Sequence, residues 1–424
     1  MKMESYQIEN IHVIPEKNGF QEFSKVSYPI RYGRFSEIQT TDYTFQFNLN
    51  GEIKFIQGHG QDWPHPSEWM KRTAGNDWLY YSAGSYNKIF DLIGEYYYPC
   101  LPYPSNSLFN SYAIDAAAKK NAIYAWTRLQ SKLNRLASVS RNEIVKECLA
   151  RIAQNDPRTL QRRSNQYYDL VNANITVLPP DSRHVDYETI PVIVADGCLY
   201  HCGFCRVKSN RDFLPRSRDN ILSQIERLKK FYGRDIHNYN SVFLGLHDAL
   251  MTETALIEFA ALKAHQLFEF EHSNMKDSSL FLFGSVDSLL GSEESKFEML
   301  NRLPFKTYLN LGLESADPET LVVLKKPITG EKVKDAFVRM IDINKKYEQL
   351  EISVNFVLGE GLPSGHLPSL LELVRSGLNR FYSKGAVYLS PLIGSHTKGE
   401  LLRQFYRVKT RSRLPVYIYL IQRL

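Results

Sequence analysis

The sequence predicts an α/β chain, a parallel sheet set behind an α+β N-terminal region. Three observations carry this reading. Six short apolar runs, "IPVIVA", "SVFLG", "LFLFGS", "KTYLNLGLES", "EISVNFVLG" and "GAVYLSP", alternate with amphipathic segments through the second half of the chain. Strand–helix units of about 30 to 40 residues imply parallel strands joined by right-handed crossovers. The runs are apolar throughout, as strands buried on both faces are, whereas the N-terminal region alternates apolar and polar residues, the mark of a half-buried strand. The parallel sheet is either doubly wound or curled into a complete or partial barrel. In both cases chemistry is expected at the C-terminal ends of the strands.

In chain order, the first element is β structure. "YTFQFNL" alternates Tyr43, Phe45, Phe47 and Leu49 with polar neighbours, and Asn50-Gly51 then leads into "EIKFI". Asn-Gly between such runs predicts a hairpin closed by a type I′ turn, which needs positive φ at both central residues. A loop rich in Gly, Pro and Trp follows, containing His59, Asp62 and His65, and then the aromatic "YYYPCLPYPSN". From about 113 to 171 the pattern is helical, with Ile123, Trp126, Leu129 and Leu133 along one stripe. Pro179-Pro180 blocks helix and opens an extended linker into "IPVIVA". Among the crossover segments, "DNILSQIERLKKFYG" carries Ile221, Ile225, Leu228 and Phe231 on one face and ends at Gly233. "GEKVKDAFVRMIDINKKY" repeats the pattern with Val333, Phe337, Met340 and Ile341.

Composition narrows the class. A chain of 424 residues, 43% hydrophobic and 23% charged, suits a globular protein of two or three domains. No apolar run follows Lys2, so no secretory signal is expected, and no apolar stretch of about 18 residues predicts a membrane span. Five cysteines are few and odd in number, which argues against a disulfide framework and for a reducing cytoplasm. The net charge of +6 is uneven: residues 119–163 hold eleven Lys and Arg against three acids, and residues 398–424 hold seven against one. Such segments either attract a phosphate-bearing partner or form solvated faces.

The loop "DGCLYHCGFCRV" directly follows the first of the parallel runs and spaces Cys198, Cys202 and Cys205 as C-x3-C-x2-C. A [4Fe–4S] cluster bound wholly by protein takes four thiolates. Three on one loop leave an iron open, and an open coordination position is how a metal centre binds a small molecule. Rival readings are a zinc site recruiting His201, buried thiols without metal, and a Cys202–Cys205 redox pair. His201 adjoins Cys202, whereas zinc ligands come as two separated pairs, and a redox pair needs a helix N-terminus and no third thiol.

With Phe204 just before the last cysteine, the motif resembles the radical S-adenosylmethionine (radical SAM) superfamily, over roughly 190 to 391. The resemblance implies a partial (βα)6 TIM-like barrel and a [4Fe–4S] cluster on Cys198, Cys202 and Cys205, with the amino and carboxylate groups of SAM on the open iron. It further implies a low-potential electron donor of the flavodoxin or ferredoxin type. Reductive cleavage of SAM then yields a 5′-deoxyadenosyl radical that takes hydrogen from a substrate. Family members carry a glycine-rich turn after the second strand; here it reads "FLGLHDAL", which keeps Gly245, departs at Leu246 and His247, and offers Asp248 in place of the usual acid. "LNLGLESADPETLVVLKKPITGEKV" and "NFVLGEGLP" resemble the subgroup of the methylthiotransferases, the Elongator catalytic subunit and coproporphyrinogen oxidase, in which Glu314 and Ser315 would face the cofactor. Phe204, Gly245, Asp248, Ser285 and Glu314 are the SAM contacts this implies, with Asn355 and Ser390 as further strand-end candidates.

Cys100 and Cys148 are distant from each other and supply no second cluster, unlike the methylthiotransferases. The N-terminal region lacks the alternation of a cobalamin domain, and no acetyltransferase-like region follows the barrel. The expected organisation is an α+β domain over 1–185, the barrel over 186–395 and a basic extension over 396–424. The first would bind an unidentified small-molecule, peptide or RNA substrate through Trp63, Trp69, Trp78, Tyr80, Tyr81, Tyr96 to Tyr98 and Tyr103, or use them as core. The final "LPVYIYLIQRL", beside Arg411 and Arg413, is an added strand, a packed tail or a membrane-surface contact. Two alternatives stand beside the enzyme reading: an RNA-modifying radical SAM enzyme using the basic helices, and a non-catalytic cluster-binding or SAM-binding scaffold.

Overall fold

The computed structural model describes residues 4–23, 32–61, 63, 68–83, 89–94, 97–100, 116–173, 177–186, 188–205, 211–392 and 397–420. Eight antiparallel strands, each hydrogen-bonded to the next, form the N-terminal sheet: β1 (Tyr6–Ile8), β2 (Ile11–Asn18), β3 (Arg34–Gln39), β4 (Tyr43–Phe47), β5 (Ile53–Gly58), β6 (Trp69–Arg72), β7 (Trp78–Ala83) and β8 (Tyr97–Cys100). Period-2 alternation turns Phe45 and Phe47 onto Trp126 of helix Ala116–Gln130, at centroid distances of 6.1 and 5.3 Å. Leu133, Val145, Leu149 and Ile152 from the following helices complete this core. Trp63 belongs to it and Trp78 packs against it. Asp62, His65, Tyr96 and Tyr103 lie outside the described residues, as do the side chains of Tyr80, Tyr81, Tyr97, Tyr98 and Cys100.

The β4–β5 hairpin forms, but not through the type I′ turn that Asn-Gly predicts. Gly51 has φ +79°, whereas Asn50 is not among the positive-φ residues. The Asn48 carboxamide accepts from the backbone N–H of Asn50 and Glu52, at 3.1 and 2.9 Å, and shapes the turn from its side. Asn50 is thereby left to reach the rest of the molecule, and its side chain donates to the Tyr232 carbonyl at 2.7 Å. A tertiary contact outweighs the local preference.

The second sheet settles the barrel question. Its strands are β9 (Ile190–Ile193), β12 (Ser241–Gly245), β13 (Ser279–Gly284), β14 (Lys306–Glu314), β15 (Leu350–Leu358), β16 (Val387–Pro391) and β17 (Val416–Ile418); the short ribbon β10 (Ala195–Asp196) with β11 (Leu214–Pro215) lies between the first two in sequence. All seven are parallel, and spatial order follows chain order from β9 to β17. A doubly wound sheet reverses its order at a switch point; this one runs steadily and stays open between β9 and β17, as a partial (βα)6 barrel with one added strand. That strand comes from the C-terminal extension, for which an added strand is one of the expected forms. Val416, Ile418 and Leu420 are buried, so among the described residues of the segment these apolar side chains are not offered to a membrane surface. No helix among the described residues is long and apolar enough to cross a membrane.

The N-terminal sheet docks on segments that precede the barrel strands. Asn48 donates to Asp235 at 3.1 Å, Arg34 and Asn238 exchange two bonds of 2.8 Å, and Lys54 and Lys71 reach Glu188 at 3.0 and 2.6 Å. These contacts lie at the N-terminal edge of the parallel sheet, away from the strand ends where chemistry is expected. Within the barrel, the short helix Pro180–Val185 fills the lower end, with His184 stacked on Tyr308 and Tyr308 on Phe281 at 4.7 and 5.3 Å.

Candidate active site

The cysteine loop is built as a closed turn at the end of β9. Gly197 has φ +75°, and a Cβ there would lie 2.0 Å from the Asp212 carbonyl oxygen, so only glycine fits where β10 meets the returning chain. The Cys198 N–H donates to the Arg211 carbonyl at 3.3 Å and the Gly203 N–H to the Leu324 carbonyl at 2.9 Å. Arg216 anchors the base with two bonds to the Asp196 carboxylate, at 2.7 and 2.6 Å, and others to the carbonyls of Val171 and Asn172. Tyr200 ties the loop to the barrel by donating to Asp287 at 2.6 Å, and Lys332 holds the other Asp287 oxygen at 2.7 Å.

This loop walls a cavity of about 250 Å³ at the C-terminal ends of the strands. Cys198, Cys202, Cys205, Phe204, Asp248, Ser285 and Glu314 line it together, as do Asn355 and Ser390. Gly245 does not: it ends β12 beneath the cavity, where a Cβ would meet Ile193 at 2.7 Å, so its smallness serves strand packing. Ser315 also departs from expectation, being fully buried and bonded to Nδ1 of His366 at 2.8 Å instead of facing the cavity. Burial pushes the Cys198 thiol up and the Cys202 thiol up to about 11. Among the described residues no three His, Cys, Asp or Glu side chains are arranged to hold a single metal ion. His201, the fourth ligand of the zinc reading, is half exposed, lies 3.6 Å from Asp212 and does not line the cavity.

Asp248 and Ser285 form one unit. Ser285 caps the helix Val286–Gly291, its hydroxyl accepting from the Ser288 N–H at 3.0 Å, while its own N–H donates to Asp248 Oδ1 at 3.2 Å. The Ser285 hydroxyl is therefore engaged in capping. Asp248 is 2% exposed and its Oδ2 has no hydrogen-bond partner, an acceptor left open on the cavity wall. Burial raises its carboxyl above the ordinary range.

A β-bulge in β14 aims Glu314 inward. Register shifts between Gly312 and Glu314, and Glu314 takes φ +65°, a conformation costly for a residue with a side chain. Gly312 makes room, since a Cβ there would lie 2.6 Å from Glu314 Oε1. Facing it is Lys326, with a side chain only 5% exposed, 3.6 Å from the Glu314 carboxylate and 5.1 Å from the Tyr200 ring centroid. Burial raises the Glu314 carboxyl and Lys326 opposes that rise. Sequence reading missed Lys326 and Tyr200 and gave His247 only as a departure from the family's turn; all three line the cavity. Of the two missed, only Lys326 left a trace, a charge within "LVVLKKP" that the helix end turns inward. Among the described residues, the one cavity-lining position before β9 is Val177, so the N-terminal aromatics that are described do not reach the cavity. His59 is occupied elsewhere, bonded to Thr44 at 2.8 Å, and Cys148 is a buried thiol in the N-terminal core.

Residues 192–374 match the family model of the radical SAM superfamily. No curated protein matches the chain. Similar solved structures include a radical SAM methyltransferase from Sphaerobacter thermophilus, at 17% identity over 54% of this chain and 64% of that one, with a TM-score of 0.35. Others are Elp3 from the archaeon Methanocaldococcus infernus (16% identity, 49% and 52% covered, TM-score 0.32) and coproporphyrinogen III oxidase from Escherichia coli, a radical SAM enzyme (14%, 51% and 46%, 0.33). The chain spans less than two thirds of the length of each of these three structures.

Proposed function

The chain belongs to the radical SAM superfamily through its domain at 192–374, and on that premise we propose a single-cluster radical SAM enzyme acting on an as yet unidentified substrate. Members of the superfamily use a [4Fe–4S] cluster and SAM. The observation that carries the proposal is the convergence of the three motif thiols, an unpartnered Asp248 oxygen and the buried Lys326 ammonium on one cavity. That donor set fits the group: thiols for iron, an open carboxylate oxygen for an amino N–H, and a cation for a carboxylate. When bound, cluster and SAM together supply one low-potential electron to the sulfonium and a 5′-deoxyadenosyl radical that takes a hydrogen atom.

In this reading Cys198, Cys202 and Cys205 would hold three irons and leave the fourth for SAM. Asp248 would accept from the amino group of SAM, and Lys326, held in place by Glu314, would face its carboxylate. Phe204 and Phe283 supply apolar wall, and Ser285 holds Asp248 in the rotamer that presents its open oxygen. Burial of Asp248 and Lys326 strengthens the charge interactions they make. A flavodoxin- or ferredoxin-type donor would supply the electron, and a reducing cytoplasm suits a site built from thiols. The RNA-modifying alternative draws on the exposed cations Lys132, Arg158 and Arg162, but not on Arg163, which is half-buried and paired with Glu52.

The test is anaerobic reconstitution with iron and sulfide, then dithionite and SAM, with chromatography for 5′-deoxyadenosine. Wild type should yield it and Cys202→Ala should not. A cluster-loaded wild type that binds SAM and yields none, with every candidate substrate class added, would favour the scaffold. A colourless protein holding one zinc would overturn the proposal.

A further inference from the structure

A chain of buried polar side chains runs up the barrel interior from its lower end to the cavity. It starts in the helix Pro180–Val185, at the end of the linker from the N-terminal region. Arg183 Nε donates to the Tyr388 hydroxyl at 2.9 Å, and that hydroxyl donates to Asp181 Oδ1 at 2.7 Å. Ser353 Oγ donates to Asp181 Oδ2 at 2.5 Å and accepts from Asn310 Nδ2 at 2.8 Å. Asn310 and Asn355 then exchange a reciprocal pair of amide bonds, one of them 3.1 Å from Asn310 Nδ2 to Asn355 Oδ1. Asp181, Asn310 and Ser353 are at most 1% exposed, and Asn355 lines the cavity.

With Asp181 ionised, the direction of each bond in this chain follows from the one before it. Arginine only donates, so the Tyr388 oxygen accepts from it and the Tyr388 proton goes to Asp181. Burial raises the Asp181 carboxyl to about 6; in its ionised form both oxygens accept, and Ser353 then donates to it. The remaining Ser353 lone pair takes an Asn310 N–H, which orients the Asn310 amide and leaves its oxygen to take an N–H from Asn355. Asn355 is thereby held in one of the two amide orientations its shape allows. The two orientations offer the cavity opposite arrangements of donor and acceptor. A buried carboxamide without such a chain has no reason to choose between them.

We infer that Asp181, acting through Ser353 and Asn310, is a positioning residue that fixes which way Asn355 presents its amide to the ligand in the cavity. The inference rests on the proposed function in taking SAM as that ligand. It assigns to the linker helix, outside the strands and the cysteine loop, control over the polarity of a cavity wall. Asp181 itself touches no ligand.

The experiment is a double-mutant cycle read by the equilibrium affinity for SAM of the anaerobically reconstituted full chain, with iron content and thermal melting as controls. Ser353→Ala breaks the chain at one hydroxyl while Tyr388 still partners Asp181. It should weaken SAM binding about tenfold, the effect of one lost orienting hydrogen bond, with iron content unchanged. In an Asn355→Ala background the same substitution should change nothing further, because there is no amide left to orient. Asp181→Asn, of the same shape but able to donate, should reproduce the loss by reversing the Ser353 bond. Unchanged affinity in Ser353→Ala, or a loss that adds in full to that of Asn355→Ala, overturns the inference and leaves the site reading intact. A cluster-loaded wild type that binds no SAM overturns the site reading, and this inference with it.

Discussion

At the scale of single residues, the cavity is organised around charges that the fold isolates from water. Lys326 and Glu314 have side chains 5% and 12% exposed and depend on each other. Removing one partner of a buried pair costs about 3–5 kcal/mol, whereas removing both is nearly neutral. Lys326→Met should therefore lower the melting temperature and weaken SAM binding by about tenfold or more, a charge-assisted contact being lost. Adding Glu314→Gln should recover the melting temperature but not the affinity. If the double variant regains affinity as well, Lys326 plays only a structural part. Of these residues Glu314 was legible from its motif. Lys326 was not, since one lysine of a pair in "LKKP" looks like its solvated neighbour until the chain turns it inward; Lys325 is exposed and Lys326 is 8% exposed.

At the scale of elements, the cysteine loop is held by backbone geometry more than by side chains. The β10–β11 ribbon pairs Ala195 with Pro215 and Asp196 with Leu214, and Gly197 sits where this ribbon turns into the loop. Gly197→Ala meets both a positive φ and a carbonyl in its way, a strain of about 1–3 kcal/mol or more. The expected result is reduced iron content after reconstitution, with little change in the melting of the barrel. Iron loading equal to wild type would show that the ribbon can open without disturbing the thiols. The elements also show where local signals suffice. All six apolar runs became strands, because burial on both faces leaves them no alternative. The Asn50-Gly51 turn departed from its dipeptide preference because Asn48 and Tyr232 supplied competing hydrogen bonds.

At the scale of the whole molecule, two cores meet across a charged interface. Arg163 pairs with Glu52, donates to the Phe231 carbonyl at 2.7 Å and stacks 4.4 Å from the Phe231 ring centroid, while Glu52 also holds Arg72 at 3.1 Å. The basic helices therefore divide into cations that join the two parts and cations that face solvent. Arg163→Ala should destabilise the protein by about 1–3 kcal/mol, and Arg158→Ala with Arg162→Ala by less than about 0.5 kcal/mol each. If the helices bind RNA, the exposed pair should lower affinity and flatten its dependence on salt. RNA binding indifferent to both would remove the RNA-modifying alternative. The docking of the N-terminal sheet on the lower edge of the barrel weighs against its described aromatics as the substrate pocket, since the cavity opens at the other edge.

Taken alone, the sequence determined the parallel strands, the three-thiol loop at the end of the first of them, and the superfamily. Those properties depend on neighbours in the chain: apolar runs and the spacing of the cysteines. Only the tertiary structure decided the rest. Strand order chose the open barrel over the doubly wound sheet that periodicity alone left open, and β17 joined it, where the sequence allowed an added strand or a packed tail. Gly245 and Ser315 left the cavity, while Lys326 and Tyr200 entered it. The orientation of Asn355 came from a carboxylate 174 positions earlier in the chain. Such features arise from desolvation and from the direction of hydrogen bonds between distant segments, and neither exists until the chain has folded.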